Sequence, residues 1–275
     1  MTRMIGYFAN QTDRIQCALT SESDAINFGA ERVDGWGVGS YQFGEVLMRK
    51  RPTDPREAVK LLDVVRDLRT GCMLAHVRTA TVGARSLDNT HPFRHHQWLF
   101  AHAGTLPRFS EVRRALLDEI PEHLARSVRG DTDSEVLFYL FLSAVNRTGH
   151  LDDPDLDRAG VMAALGEAAD VVDRVCGPDG GLNLLVTNGR TLVALRRGAP
   201  MSWARRNGLR DCPVCRKAPE ITGREPRRVD HESLRYVVIA GDSAATASGW
   251  HEVPASPRGT FLAVDRALEA QVTAR

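Results

Sequence analysis

The sequence has no excess charge of either sign and no long hydrophobic run. Among its 275 residues, 36 Lys and Arg are balanced by 35 Asp and Glu. This balance argues against a protein that binds nucleic acid electrostatically, because such proteins usually carry a basic surplus. No segment approaches the ~18 consecutive apolar residues of a membrane-spanning helix, and the N-terminus lacks the apolar region of a signal peptide. We therefore expect neither a nucleic-acid nor a membrane partner.

Cysteine is also sparse, and repeats and flexible linkers are missing. Five cysteines in a chain of this length are typical of a reducing compartment, so we expect a cytoplasmic location. Because there are no repeats, low-complexity tracts or Ser/Gly-rich linkers, the chain is expected to form a single domain over residues 1–275.

Apolar segments of strand length occur in groups, with helical segments between the groups. Since strands and helices do not alternate regularly, a parallel sheet of the Rossmann type is disfavoured. Two packed sheets with helices outside fit the pattern better. The predicted strands are 4–8, 36–41, 45–48, 72–77, 98–102, 182–187, 191–195, 236–240 and 260–264.

Three segments have the apolar spacing of helices. The sequences Asp54-Pro55-Arg56-Glu57 and Thr132-Asp133-Ser134-Glu135 are typical of capping boxes, which predict helices over 54–68 and 132–145. A third helix is predicted over 155–175. The dipeptide Asn188-Gly189 lies between two predicted strands and indicates a two-residue hairpin loop.

One segment is strongly basic. Residues 196–228 contain ten Arg or Lys and three acidic residues, and few of the others are apolar. We predict a surface insertion between core strands at about 196–230. It is either a solvated loop or a surface for an anion or an acidic partner. Trp203 is its only aromatic residue, which does not fit a site that stacks single-stranded nucleic acid.

The pair in Cys212-Pro213-Val214-Cys215 has the spacing of half a zinc site or of a redox pair. Zinc requires four ligands, and no second pair is present; Cys176 and His231 are distant in sequence. A redox pair would be expected at the start of a helix that follows a strand. We interpret the two cysteines as an ordinary loop pair, and we expect no metal and no cofactor.

Six short segments occur in a distinctive order: Met4 to Tyr7, Asp34 to Gly37, Ala75 to Thr81, Asn89 to Phe93, Trp98 to Gly104, and Gly130 to Glu135. Together they resemble the class II glutamine amidotransferase family of N-terminal nucleophile hydrolases. The closing stretch from Tyr236 to Pro254 is similar to the stand-alone subgroup, which includes the amidohydrolase of ergothioneine biosynthesis. The resemblance implies an α+β fold, a four-layer αββα sandwich of two antiparallel sheets flanked by helices.

The resemblance also implies a mechanism. Residue 2, exposed by removal of Met1, attacks the side-chain amide of glutamine, and its own α-amino group serves as the base. A free α-amine has an unperturbed pKa of about 7.7 to 8.0, which suits this role near neutral pH. The product is a γ-glutamyl ester or thioester, from which water releases glutamate.

Two candidate catalytic positions depart from the family pattern. The family nucleophile is Cys, whereas this chain has Thr2, whose hydroxyl is a weaker nucleophile than a thiol at neutral pH. The family oxyanion hole is Asn-Gly, whereas this chain has Ala103-Gly104, which retains only the backbone donor of Gly104. Loss of one such donor typically lowers the rate by about 100- to 1000-fold.

The residues that would hold the substrate match the family better. By the resemblance, Arg78 binds the glutamine α-carboxylate, Thr81 lies in the pocket beside it, and Asp133 binds the α-ammonium group. A guanidinium suits a carboxylate through paired hydrogen bonds. Each residue also has an alternative interpretation. Arg78 is then a loop arginine in a surface ion pair, Thr81 supplies only a loop hydroxyl, and Asp133 only stabilises a helix N-terminus.

Three functions remain open from the sequence, and the third of them is a metal-dependent or redox protein that uses Cys212 and Cys215. The first is an enzyme that hydrolyses a glutamine or γ-glutamyl side-chain amide; any ammonia would be lost to solvent or passed to a separate partner protein, since no acceptor domain follows. The second is a catalytically impaired member of the family that binds a glutamine-like ligand or a partner protein.

Overall fold

Two antiparallel sheets packed face to face form the centre of the computed structural model, which describes residues 3–26, 33–54, 60–153, 155–216, 229–241 and 247–275. In spatial order, the seven-stranded sheet contains β11 (Trp250–Glu252), β9 (Met201–Leu209), β10 (His231–Gly241), β1 (Arg3–Ala9), β4 (Cys72–Arg78), β2 (Gly35–Gln42) and β3 (Glu45–Pro52). The six-stranded sheet contains β13 (Ala270–Ala274), β12 (Thr260–Val264), β8 (Leu192–Arg196), β7 (Asn183–Thr187), β6 (Trp98–Ala103) and β5 (Phe93–His95).

Helices cover the outer face of each sheet. Two short helices, α1 (Ile15–Ser21) and α2 (Leu61–Val65), pack on the seven-stranded sheet. Four helices cover the six-stranded sheet: α3 (Phe109–Asp118), α4 (Glu122–Ala125), α5 (Asp133–Arg147) and α6 (Arg158–Cys176). The result is the predicted four-layer αββα sandwich. No helix in the described segments is long and apolar enough to cross a membrane.

Strand β6 shows how the sequence builds the layers. Successive side chains of a strand point to opposite faces. Leu99, Ala101 and Ala103 accordingly belong to the apolar cluster between the sheets, whereas Trp98 and Phe100 pack against the helices. A strand with both faces covered is apolar throughout, and this explains why the central strands appear as continuous apolar runs in the sequence.

The start of α5 confirms half of the predicted capping box. Thr132 is the N-cap, and its hydroxyl accepts a hydrogen bond from the Glu135 N–H at 3.2 Å. The Glu135 carboxylate, however, accepts from the N–H groups of Arg129 at 3.0 Å and Gly130 at 2.6 Å rather than from the cap residue. It therefore anchors the preceding loop. The other predicted capping box, at 54–57, falls largely outside the described residues; α2 begins at Leu61.

The β7–β8 hairpin is confirmed, but its loop is longer than predicted. Thr187 pairs with Leu192, which leaves four residues in the loop instead of two. The Asn188 side-chain oxygen accepts hydrogen bonds from the N–H groups of Arg190 at 3.0 Å and Thr191 at 2.9 Å. An Asn side chain that closes the turn in this way replaces the tight two-residue loop that the dipeptide indicated.

The predicted basic insertion is wrong for its first part. Residues 201–209 form β9 inside the seven-stranded sheet, and its arginines are neutralised by partners from distant segments. In β9, Arg205 pairs with Glu269 and Arg206 pairs with Glu22. Before β9, the buried Arg197 pairs with Asp173. The excess of positive charge was therefore a poor guide to exposure, because the compensating acids are remote in sequence. Residues 217–228 of the predicted insertion lie outside the described residues.

A buried carboxylate joins α1 to the edge of the seven-stranded sheet. Glu22 accepts hydrogen bonds from Arg206 at 2.7 and 3.0 Å, from the Tyr236 hydroxyl at 2.9 Å and from the Trp250 indole at 2.8 Å. Burial alone would raise the pKa of Glu22, but these donors outweigh it and hold the pKa below its ordinary value. The ion pair thus fixes the end of α1 against β9, β10 and β11.

Candidate active site

The candidate site lies at one edge of the sandwich, where β1 begins and β4 and β6 end. Arg3, the first described residue of β1, is paired with Val77 in β4. Met4 and Ala103 share the apolar cluster between the two sheets, so the start of β1 and the end of β6 face each other. Thr2, the predicted nucleophile, lies outside the described residues. Its neighbour Arg3 is the nearest described position.

Arg78, the last residue of β4, is 4 % exposed. Its guanidinium donates hydrogen bonds to the carbonyl oxygens of Val82 at 2.7 Å, Gly83 at 3.0 Å and Ala84 at 3.2 Å. Arg78 therefore shapes the loop that carries Thr81. Since a guanidinium has five N–H donors, these three contacts still leave capacity for a carboxylate.

Asp133, the first residue of α5, is 3 % exposed. One carboxylate oxygen accepts a hydrogen bond from the Leu106 N–H at 2.8 Å, and the other accepts from the Ser134 N–H at 2.8 Å. The N-terminal end of a helix favours a negative charge. These contacts place the carboxylate against the loop that follows Gly104.

Arg78 and Asp133 are close enough to influence each other electrostatically without pairing. Burial lowers the pKa of Arg78, whereas the charges of Asp34, Asp131 and Asp133 act in the opposite direction. Among the described residues, neither Arg78 nor Asp133 forms an ion pair. A buried cation and a buried anion that face one region without pairing are suited to a ligand that carries both charges.

Ala103 and Gly104 lie where β6 leaves the sheet. The Ala103 side chain is 6 % exposed and points between the sheets, toward the layer that contains Met4. Gly104 is exposed, with a φ of +157°. The Thr81 hydroxyl lies 2.9 Å from the Thr105 hydroxyl, so the loop after Arg78 contacts the loop after Gly104. The structure thus brings together all the predicted site residues that it describes.

Gly104 cannot carry a side chain without displacing its surroundings. A Cβ at this position would lie 1.9 Å from the Gly181 carbonyl oxygen and 2.7 Å from His102 Nε2. We expect Gly104→Ala to lower the free energy of unfolding by roughly 2 kcal/mol, a typical cost of overpacking. Chemical denaturation measures this effect. Gly149→Ala is the matched control, because a Cβ there has no described neighbour within 4 Å at a φ of +77°. An equal loss in both variants would contradict the close contact.

The two histidines of the core strands, His76 and His102, are buried interior residues. His76 Nε2 lies 3.1 Å from the His102 carbonyl oxygen, and His102 Nδ1 lies 2.8 Å from the Ser134 hydroxyl. Burial lowers the pKa of His76 to about 3 and that of His91 well below its ordinary value, so both rings are neutral. They supply shape rather than charge to the site.

Two residues that support the site were not indicated by the sequence. Gly181 receives a hydrogen bond on its carbonyl oxygen from His102 Nε2 at 3.1 Å, and this carbonyl is the one that faces Gly104. Ser134 links His102 to Asp133, since its hydroxyl also lies 3.2 Å from an Asp133 carboxylate oxygen. Ser134 follows Asp133 in the cap sequence, but Gly181 belongs to a segment with no motif of its own.

A comparison with protein families decides the relationship. The family described as "Glutamine amidotransferases class-II" matches residues 1–268. The chain belongs to this family. Its fold, with two antiparallel sheets between helices, is shared with solved amidotransferases.

Relatives in this family include hydrolases. The chain is 34 % identical over 248 residues to gamma-glutamyl-hercynylcysteine sulfoxide hydrolase of Mycobacterium tuberculosis, which covers 87 % of this chain and 82 % of the relative. It is 29 % identical over 181 residues to a probable glutamine amidotransferase of Saccharomyces cerevisiae, which covers 59 % of this chain. The match spans about half of the yeast protein, 51 % of its length.

Solved structures support the fold. A glutamine aminotransferase class-II domain protein from Silicibacter pomeroyi has a TM-score of 0.59 at 22 % identity, with 98 % of each chain covered. Glutamine phosphoribosylpyrophosphate amidotransferase of Bacillus subtilis has a TM-score of 0.56 at 15 % identity; the match covers 98 % of this chain and 48 % of that enzyme. At these identities the likeness concerns the fold alone.

Proposed function

We propose that this class II glutamine amidotransferase hydrolyses the side-chain amide of glutamine or of a γ-glutamyl compound, with Thr2 as its N-terminal nucleophile. The observation that carries the proposal is that Arg78 and Asp133 are buried at the edge where β1 begins and that neither forms an ion pair within the described part of the chain. An α-amino acid end supplies the two complementary charges. The mycobacterial relative, whose name describes hydrolysis of a γ-glutamyl compound, supports the same substrate class.

The proposed pocket binds the amino-acid end and leaves the amide toward the start of β1. The donors of Arg78 that the loop carbonyls do not use bind the α-carboxylate. Asp133, with both oxygens already oriented by backbone N–H groups, accepts a further hydrogen bond from the α-ammonium group. Thr81 lies on the loop that Arg78 holds and contributes a hydroxyl to the same pocket.

The chemistry proceeds in two steps. The Thr2 hydroxyl oxygen attacks the amide carbon, and the free α-amino group of Thr2 takes the hydroxyl proton. The Gly104 N–H stabilises the negative oxygen of the tetrahedral intermediate. The C–N bond then breaks, the leaving nitrogen takes the proton back, and ammonia or an amine departs from a γ-glutamyl ester. Water, deprotonated by the same α-amine, attacks the ester and releases glutamate and the Thr2 hydroxyl.

The assay compares substrates that differ only at the amino-acid end. We expect glutamate release from L-glutamine or a γ-glutamyl amide, and none from the Nα-acetyl derivatives, which lack the ammonium group. In Asp133→Asn, KM is expected to rise about 10- to 100-fold, which corresponds to about 1.5 to 3 kcal/mol for a hydrogen bond to a charged group. Steady-state kinetics measure both effects.

Asp131→Asn is the matched control, because Asp131 is an exposed acid two positions before Asp133 and also acts on the charge of Arg78. We expect little change in KM for this variant. Equal hydrolysis of free and Nα-acetylated substrates would contradict the pocket. Binding of glutamine without any hydrolysis would favour the alternative, a ligand-binding member of the family.

A further inference from the structure

Outside the active site, three thiols and an imidazole from separate parts of the chain converge on one point. Cys17 is in α1, Cys212 and Cys215 are in the loop after β9, and His231 is the first residue of β10. Their Sγ atoms and a histidine ring nitrogen all lie within 4.8 Å of one another. The sequence indicated only the Cys212–Cys215 pair, because Cys17 is 198 positions away from Cys215.

The spacing of the sulfur atoms suits a tetrahedral metal ion. Cys17 Sγ lies 3.7 Å from Cys215 Sγ. A zinc ion with Zn–S bonds of about 2.3 Å in tetrahedral geometry places two sulfurs about 3.8 Å apart. The contact is too long for a disulfide bond of about 2.05 Å, and both cysteines are free. The sulfurs are therefore at the separation that a shared zinc ion requires.

The loop is folded to present two sulfurs together. The Cys215 N–H points at Cys212 Sγ over 3.5 Å, a contact that stabilises negative charge on sulfur. The Cys212 N–H donates to the Val229 carbonyl oxygen at 2.8 Å, which ties the turn to the segment just before His231. The Arg216 N–H donates to the Cys212 carbonyl oxygen at 3.0 Å and closes the turn. The backbone thus orders the cluster independently of any ion.

The polar atoms of the cluster have few other partners. Cys212 is fully buried and Cys17 is 4 % exposed. His231 Nε2 is buried and forms no hydrogen bond with any described residue. A buried polar atom without a partner is rare and calls for an explanation such as a bound ion. A zinc ion would give this imidazole a partner.

We propose that Cys17, Cys212, Cys215 and His231 bind one structural zinc ion. Thiolate and imidazole ligands select zinc rather than magnesium or calcium. Four protein ligands fill a tetrahedral site and leave no open position for a substrate, so the site is structural rather than catalytic. The ion would fasten α1 and the turn after β9 to the first residue of β10.

A redox role fits the cluster less well. A reactive cysteine needs a stabilised thiolate near positive charge. Instead, Cys17 and Cys212 are buried, and the sulfur of Cys17 lies 3.7 Å from that of Cys215 as a free thiol. The arrangement is that of a metal-ligand set rather than that of an activated thiol.

The direct test is the metal content of the full-length protein. Protein expressed with added zinc and passed through gel filtration is analysed by inductively coupled plasma mass spectrometry. We expect about one zinc ion per chain. In Cys212→Ser/Cys215→Ser the content should fall below about a tenth of an equivalent, since metal affinity depends on the complete thiolate set. Cys72→Ser is the matched control, because this buried cysteine lies outside the cluster and contacts the Thr187 hydroxyl at 3.2 Å; it should retain zinc.

A second measurement does not depend on whether a ligand variant folds. Cobalt(II) added to wild-type protein freed of metal should give the intense visible bands of a tetrahedral thiolate complex. His231→Cys should keep the metal with stronger sulfur-to-cobalt absorption. Folded wild-type protein that contains less than about a tenth of an equivalent of zinc, and that gives no tetrahedral cobalt spectrum, would overturn the proposal. Neither readout involves hydrolysis, so the result is independent of the proposed activity.

Discussion

Replacing Thr2 with alanine is expected to lower the rate of γ-amide hydrolysis by at least about 1000-fold while the fold is retained. In the proposed mechanism Thr2 supplies both the attacking oxygen and the base, and alanine keeps only the base. Glutamate release at saturating substrate measures the change. Alanine, like threonine, is small enough at position 2 for Met1 to be removed. Intact mass can therefore verify that the N-terminus of the variant is processed as in the wild-type protein.

Two further variants separate the hydroxyl from other effects of residue 2. Thr2→Ser keeps a hydroxyl and should retain hydrolysis, and Thr2→Cys should be at least as active, since a thiol is the better nucleophile near neutral pH. Thr12→Ala, at an exposed position beyond β1, is the control for the loss of a threonine elsewhere. Undiminished hydrolysis in Thr2→Ala would exclude Thr2 as the nucleophile.

Ala103→Asn is expected to raise the rate of hydrolysis by about 100- to 1000-fold, the typical contribution of one oxyanion-hole donor. The Ala103 side chain points between the sheets toward the layer of Met4, at the edge where β1 begins. An amide at this position would therefore add a side-chain donor beside the Gly104 N–H. The change should appear in kcat rather than in KM, because the donor acts on charge that develops only in the transition state.

Ala103→Leu distinguishes the donor from the added volume. Leucine is similar in size to asparagine but cannot donate a hydrogen bond, so Ala103→Leu should show no gain. Both variants place a larger side chain at a position that is 6 % exposed, and their thermal unfolding should be compared. A gain of the same size in both variants would show that shape, and not hydrogen bonding, limits the wild-type protein.

Much of the fold was accessible from the sequence because burial leaves a local signal. Central strands such as β6 are covered on both faces and appear as apolar runs, and Thr132 marks the start of α5 through a cap that uses neighbouring residues. Strand β9 was missed because its arginines find acidic partners far along the chain. No local sequence pattern predicts an ion pair such as that of Arg206 with Glu22, because the two residues are 184 positions apart.

For the candidate site, too, the sequence predicted residues that lie in local motifs but not the long-range contacts between them. Arg78, Gly104 and Asp133 were predicted because each lies in a short motif that resembles the family. The contacts that orient them were not, since Gly181 reaches His102 across 79 positions and Leu106 reaches Asp133 across 27. The four-residue cluster around Cys212 was the hardest feature to predict from the sequence, because only the tertiary structure brings α1 close to the start of β10.

Intact mass spectrometry, before and after incubation with a diazoketone analogue of glutamine, tests the central claim most directly. The proposal predicts a starting mass without Met1 and a single covalent adduct that maps to Thr2. Excess L-glutamine should protect the protein, because Arg78 and Asp133 would hold the same amino-acid end in both compounds. Met1 still attached, with no adduct formed, would contradict the account, since neither the free α-amine nor the N-terminal nucleophile would then exist.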